Sequence, residues 1–107
     1  MKIYEVQITQ DALRDLESIY DYIKNKLSAP QAAENLYNRI TGAVLSLDAF
    51  PERYAVLQSK NEYFKSIRRM LVGNYSVFYV IKGDTVVVTS ILYSASNIEH
   101  RLLERIE

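Results

Sequence analysis

The sequence predicts an α+β fold: an antiparallel sheet made of an N-terminal strand plus a three-strand meander, packed by an α-helical hairpin, with a short C-terminal helix. Three observations carry this. Two runs rich in Val, Ile, Tyr and Phe, Tyr75 to Ile81 and Val86 to Leu92, flank the turn signal Lys82-Gly83-Asp84, and a second signal, Gly73-Asn74, lies one strand earlier. Two stretches before residue 50 place apolar residues at helical spacing. The meander runs are nearly apolar throughout, which is the pattern of strands covered on both faces. The protein's own helices supply one cover, and the C-terminal segment or a partner chain supplies the other.

In chain order, Lys2 to Ile8 alternates as a short strand, with Ile3, Glu5 and Gln7 on one side and Tyr4, Val6 and Ile8 on the other. Thr9 is placed to cap a helix from Gln10 to Lys26, whose first turn holds Asp11, the charge sign that a helix N-terminus favours. Leu13, Leu16, Ile19, Tyr20, Ile23 and Leu27 form its apolar face. Ser28-Ala29-Pro30-Gln31 has the spacing of a capping box, with Pro in the first turn where its missing N–H costs nothing. Ala33, Leu36, Tyr37, Ile40, Ala43, Val44 and Leu47 then make one face of a second helix that ends before Phe50-Pro51. Gly42 inside it weakens the helix by about 1 kcal/mol relative to Ala and points to close packing. Pro51 to Glu62 reads as a surface loop and Tyr63 to Val72 as the first meander strand, with Phe64, Ser66, Arg68 and Met70 sharing a face. Ser96 or Asn97 is placed to cap a last helix, Ile98 to Ile106.

The totals bound the rest. The 107 residues read as a single domain, residues 1–107, long enough to bury about two thirds of the surface of the unfolded chain. There is no cysteine and one histidine, so neither a disulfide nor metal-ligand spacing is available and no metal or cofactor is expected. No long hydrophobic segment is present, which argues against a signal peptide or a membrane span and makes the cytoplasm the expected location.

Formal net charge is zero, yet residues 52–69 carry five basic residues, Arg53, Lys60, Lys65, Arg68 and Arg69, against two acidic ones. Such a patch suits phosphate or an acidic protein surface, while the neutral total argues against strong non-specific nucleic-acid binding. Arg68 and Arg69 are strand neighbours and therefore point to opposite faces. The nine tyrosines mostly fall on core faces, as Tyr20, Tyr37, Tyr75 and Tyr79 do; Tyr54 and Tyr63, beside the basic loop, are the stacking candidates. His100, in the last helix, reads as a surface residue, although its ordinary pKa suits a general base. Phosphate-binding glycine loops, nucleophile elbows and zinc-protease motifs are absent.

The order of elements resembles the RelE/ParE superfamily of bacterial toxins from type II toxin–antitoxin systems. The residues that carry the resemblance are Asp11 to Ile23 in the first helix, Leu47-Asp48-Ala49-Phe50-Pro51-Glu52 closing the second, and Arg69-Met70-Leu71-Val72-Gly73-Asn74-Tyr75-Ser76-Val77-Phe78-Tyr79 in the meander. The resemblance implies one of two activities: cutting messenger RNA on the ribosome, as RelE-like members do, or poisoning DNA gyrase, as ParE-like members do. A nuclease using the 2′-hydroxyl needs a proton acceptor, a donor to the leaving oxygen and cations aimed at the phosphate. The RelE-like pattern puts cations four residues before the meander Tyr, directly after it, and after the last strand; here those positions read Leu71, Ser76 and Ser94-Ala95-Ser96. Losing one preorganised charge contact costs about 100- to 1,000-fold in rate, so the departure argues against enzymatic phosphodiester cleavage.

The resemblance therefore implies a ParE-like toxin that binds DNA gyrase and is neutralised by a cognate antitoxin, in a toxin–antitoxin hetero-oligomer, with the basic surface Arg53, Lys60, Lys65, Arg68 and Arg69 facing the target. One alternative is a RelE-like ribosome-dependent endoribonuclease with a rearranged site of Arg69, Tyr93 and His100 acting on ribosome-bound mRNA. Another is a non-toxic antitoxin-binding module of the same fold.

Overall fold

The computed structural model describes residues 2–105. Strand β1 (Glu5–Ile8) leads into helix α1 (Gln10–Asp21), a π-helical turn (Tyr22–Lys26) and helix α2 (Pro30–Leu45). After short 3-10 turns come β2 (Arg68–Val72), β3 (Tyr75–Lys82) and β4 (Thr85–Tyr93), then helix α3 (Ile98–Leu103). The strands lie in the order β1-β4-β3-β2. The meander is antiparallel as expected, but β1 joins β4 in parallel, with Glu5 opposite Thr85 and Ile8 opposite Val88, so the sheet is mixed. The helical hairpin is the crossover that lets β1 run alongside the last strand in the same direction.

The meander runs do not alternate because both faces of β3 and β4 are buried, and a bulge in β4 sets which of its residues face each side. Phe78 faces Ser90 while Tyr79 faces Val88, which leaves Thr89 as the extra residue. The shift keeps Val86, Val88 and Ile91 on the hairpin side, against Ala12, Leu16, Ile40, Val44, Met70, Val77 and Tyr79. It turns Leu92 to the opposite side, where Phe78, Phe64 and Leu102 of α3 form a second buried cluster with half-buried Leu57, Ile67 and Ile98. Both faces of the sheet are thus covered by the chain itself, and complete burial of each large apolar side chain contributes about 1.5–3 kcal/mol.

Several local expectations are corrected. Thr9 does cap α1, accepting from the Ala12 N–H at 3.1 Å. The α-helical hydrogen bonding ends at Asp21, however, and the last five residues of the expected helix form the π-turn. Ser28 caps nothing: it sits at φ +51°, the cap position of α2 is Ala29, and Gln31 bonds Asn35 instead of reaching back. Gly42 is not packed closely, since a Cβ there would meet nothing within 4 Å. The expected strand from Tyr63 begins only at Arg68, because the Asn61 side chain accepts from the Tyr63 N–H and starts a 3-10 turn, Glu62–Phe64, that drops Phe64 into the second cluster. Asn97 stands at the start of α3 without a side-chain cap, and the Ser96 hydroxyl turns back to the Tyr93 carbonyl. The last helix runs to Leu103; Ile106, expected to end it, lies outside the described residues. Among the expected core tyrosines Tyr79 is fully buried, whereas Tyr20, Tyr37 and Tyr75 are half-buried, Tyr20 meeting Tyr37 edge-on at 5.7 Å.

Candidate functional site

The five cations of the basic stretch divide by what holds them. Arg53 is turned onto the end of α2 and the turn that follows, donating to the carbonyls of Ala49 and Phe50 and to the Ser46 hydroxyl, with its guanidinium 4.8 Å from the centre of the Tyr54 ring. Arg68 points to the hairpin side and donates to the carbonyls of Glu52 and Tyr54. Together they shape the Phe50-Pro51-Glu52 segment, which is further held by the Tyr4 hydroxyl on the Glu52 carboxylate at 3.0 Å and by the buried Tyr79 hydroxyl on the Pro51 carbonyl at 2.6 Å. A backbone N–H and the Tyr4 hydroxyl hold the Glu52 carboxyl below its usual range. Burial pushes the Tyr79 phenol up to about 12. Lys65 pairs with Glu62 at 2.8 Å on the surface, and Lys60 is exposed beside it in sequence.

Arg69 is different. It projects from the α3 side of the sheet, where its Nε donates to Ser76 Oγ at 2.8 Å and Ser76 Oγ shares a hydrogen bond with Ser94 Oγ, also 2.8 Å. Ser76 is wholly buried, and the Arg69 guanidinium lies 5.7 Å from the Phe78 ring centre. A cleft of about 590 Å³ opens beside it, lined by Ala55 to Ser59, Arg69, Leu71, Ile98 and Glu99. This is the face on which a RelE-like nuclease would gather its cations. Here it carries an exposed Leu71 and a hydroxyl pair, Ser76 and Ser94, with Arg69 as the cation of the cleft lining.

The other two residues of the rearranged nuclease site do not join Arg69. Tyr93 projects to the opposite face, where its ring meets Tyr75 edge-on at 5.6 Å and helps line a groove of about 740 Å³ between the hairpin and the β2–β3 turn. His100 is exposed on α3, with Nε2 3.1 Å from Glu104. Among the stacking candidates, Tyr54 is half-buried against the main core and Tyr63 stands exposed. Among the described residues no group of three or more His, Cys, Asp or Glu is placed to hold a metal ion, and no helix is long and apolar enough to cross a membrane.

The family model of the ParE toxin of type II toxin–antitoxin systems, parDE, matches residues 6–98, from β1 to the first turn of α3. The chain belongs to this ParE toxin family. Among solved structures, the ParE-type chain resembles a chromosomal ParDE toxin–antitoxin system from P. aeruginosa with a TM-score of 0.71 at 22% identity, covering 85% of this chain and 96% of that one. It resembles the RelBE2 toxin–antitoxin complex from Mycobacterium tuberculosis with a TM-score of 0.61 at 22% identity, over 90% and 97% of the two chains. A doubly substituted free RelE toxin from E. coli aligns with a TM-score of 0.63 at 13% identity, over 98% and 99%. At these identities the likeness shows a shared fold. A search of curated proteins finds no significant match.

Two groups at the site escaped the sequence reading. Ser76 and Ser94 were legible only as missing cations, because their mutual hydrogen bond joins residues 18 apart. The roles of Arg53 and Arg68 as carbonyl donors were hidden for the same reason: arginines in a basic run look alike until the backbone oxygens they serve are in place.

Proposed function

We propose that this ParE-family chain acts as the toxin of a type II pair and arrests growth by binding DNA gyrase and trapping it on cleaved DNA, without a catalytic residue of its own. The observation that carries this reading is the face around Arg69. Phosphodiester cleavage needs several preorganised cations where charge develops on the phosphate, and the cleft lining offers one, bound through Nε to a buried serine. Arg53, Lys60, Lys65, Arg68 and Arg69 are the basic residues offered to the target; Arg68 lies on the hairpin side of β2 and Arg69 on the α3 side, so they meet it around the edge of the sheet rather than on one face. The cognate antitoxin is a small protein whose C-terminal part is disordered when free and folds as it wraps the toxin. The P. aeruginosa and M. tuberculosis neighbours, themselves toxin–antitoxin systems, support such a hetero-oligomer. The cytoplasm, where gyrase works, is the proposed location.

The test is to induce the chain alone in a bacterial host and, within minutes, map new RNA 5′ ends while assaying gyrase-linked DNA breaks. Accumulating breaks with intact RNA is the expected result. Cuts in codon register inside translated messages would overturn it in favour of a ribosome-dependent endoribonuclease, and the absence of both signals together with normal growth would favour a non-toxic antitoxin-binding module.

A further inference from the structure

Phe50 holds a backbone conformation that its own side chain makes costly. Its φ of +48° and ψ of +52° lie in the left-handed region, where a Cβ crowds the following carbonyl, and the ring of Pro51 disfavours a helical ψ in the residue before it. The other positive φ values among the described residues fall on Gly73, Gly83 and Ser28, two glycines and one small polar residue. Phe50 is the exception in size, and it is 64% exposed. A glycine would make the same turn without strain. With its ring largely in solvent, Phe50 adds little to the core that would offset this cost.

The segment is nevertheless held firmly. The backbone N–H and the guanidinium of Arg53 both donate to the Phe50 carbonyl, and the guanidinium also serves the Ala49 carbonyl. Tyr79 fixes the next residue through the Pro51 carbonyl, and Arg68 the one after through the Glu52 carbonyl. Strain of this kind persists only where the surroundings over-determine it, and it clusters at functional sites. Two more exposed apolar side chains flank the turn: Leu45 at the end of α2, and Ile3, which the Tyr4 N–H on the Asp48 carbonyl brings alongside. The cations of the segment, Arg53 and Arg68, are engaged on carbonyls, so they edge this apolar group with charge rather than grip a phosphate backbone. An aromatic centre with a polar rim is the composition of a protein-binding hot spot.

We infer that Phe50 is the anchor by which the chain docks on its protein target, its ring entering an apolar pocket of that partner while Leu45 and Ile3 close around it. The inference rests on the toxin reading and names the contact through which the target is engaged. The left-handed turn presents the ring already fixed, so docking orders little further backbone, and the strain is the stability given up for that preorganisation.

Phe50→Gly and Phe50→Ala, each induced alone in a bacterial host and purified for thermal melting, test this. Both lack the ring, but only glycine relieves the backbone, so Phe50→Gly is expected to melt about 4 °C above Phe50→Ala. Both are expected to lose growth arrest, with the protein level that halves growth rate, read by quantitative immunoblot, rising about tenfold or more, the loss of one anchor contact. Phe50→Leu, which still fills an apolar pocket, is expected to fall between alanine and the parent. Growth arrest by Phe50→Gly at the parental level would overturn the inference, and so would equal melting of the glycine and alanine variants, which would mean that the turn is unstrained. Loss in Phe50→Leu as deep as in Phe50→Ala would overturn the apolar pocket in favour of stacking on a nucleic-acid base. The gyrase reading is judged separately on the parent: arrest without DNA breaks would remove gyrase as the target and leave the Phe50 comparison intact, whereas a parent that does not arrest growth would overturn both.

Discussion

Arg105 and Asp15, 90 residues apart in sequence, form a two-armed ion pair, Nη1 to Oδ2 and Nη2 to Oδ1 both at 2.6 Å. The pair completes the fold where β1 stops. Strand β1 pairs with β4 only as far as Val88, so the Ile91 N–H has no strand on that side and donates to Asp15 Oδ2 at 2.9 Å instead. Arg105 also donates to Ser90 Oγ at 2.9 Å, tying the end of the α3 segment across β4 to α1. The bond to Asp15 raises the Arg105 pKa, outweighing the burial that works against its charge.

Asp15→Ala is expected to destabilise the protein by about 2–3 kcal/mol, since it removes both arms of the pair, leaving the partly buried guanidinium to the Asp11 carboxylate at 4.0 Å and the Ser90 hydroxyl, and leaves an amide without a partner. The figure is set below that of a fully buried pair because the Arg105 side chain is 26% exposed. Thermal unfolding followed by circular dichroism should show a melting point lower by on the order of 10 °C. Asp15→Asn, which keeps an acceptor for Ile91, should lose roughly half as much. Equal melting of Asp15→Ala and the parent would show that the pair contributes no net stability.

Tyr79 gives the fold a dependence on alkaline pH. Its ring is wholly buried and its hydroxyl donates to the Pro51 carbonyl, so the neutral phenol is favoured in the folded state and its pKa is pushed up to about 12 from an ordinary value of 10.0. A group whose folded pKa is raised contributes stability that is fully present below the unfolded value and lost as pH rises through the folded one. Urea midpoints should therefore fall between pH 10 and about 12, and Tyr79→Phe should flatten that limb. At neutral pH the same substitution should cost about 1–2 kcal/mol, because the Pro51 carbonyl loses its donor.

Gly42→Ala should stabilise. The residue lies inside α2 and an added Cβ meets no neighbour within 4 Å, so only the helix propensity and the loss of unfolded-state freedom change, together about 0.5–1 kcal/mol in favour of Ala. A lower denaturation midpoint for the variant would mean that this helix face is covered in solution.

How much of this was legible in the residues follows from range. The helix pair and the three meander strands announce themselves through periodicity and through Gly73 and Gly83, both found at positive φ where the chain turns. Caps proved half legible: Thr9 sits where its hydroxyl reaches Ala12, but the Ser28 pattern fails because a left-handed backbone turns that residue out of the helix start. The parallel seat of β1 was not legible, since Val6 and Ile8 suit either strand direction and only the hairpin crossover decides it. At the site, the opposite faces of Arg68 and Arg69 follow from strand alternation and hold. What Arg69 touches does not, because Ser76 and Ser94 reach it across two strand pairings.

The same geometry makes the enzymatic alternative testable through the residues it needs most. A nuclease built from Arg69, Tyr93 and His100 would require them around one phosphate, yet Tyr93 lies against Tyr75 on the hairpin side of the sheet while Arg69 projects to the other, and His100 faces solvent beside Glu104. Removing a general acid or base that takes part in the reaction costs about 100- to 10,000-fold. Tyr93→Phe combined with His100→Ala should leave growth arrest on induction within a few-fold of the parent, scored as the inducer concentration that halves growth rate, with matched protein levels by immunoblot. A collapse of toxicity at equal expression would mean that the chain moves in its target complex to bring these groups together, and would return phosphodiester chemistry to the front.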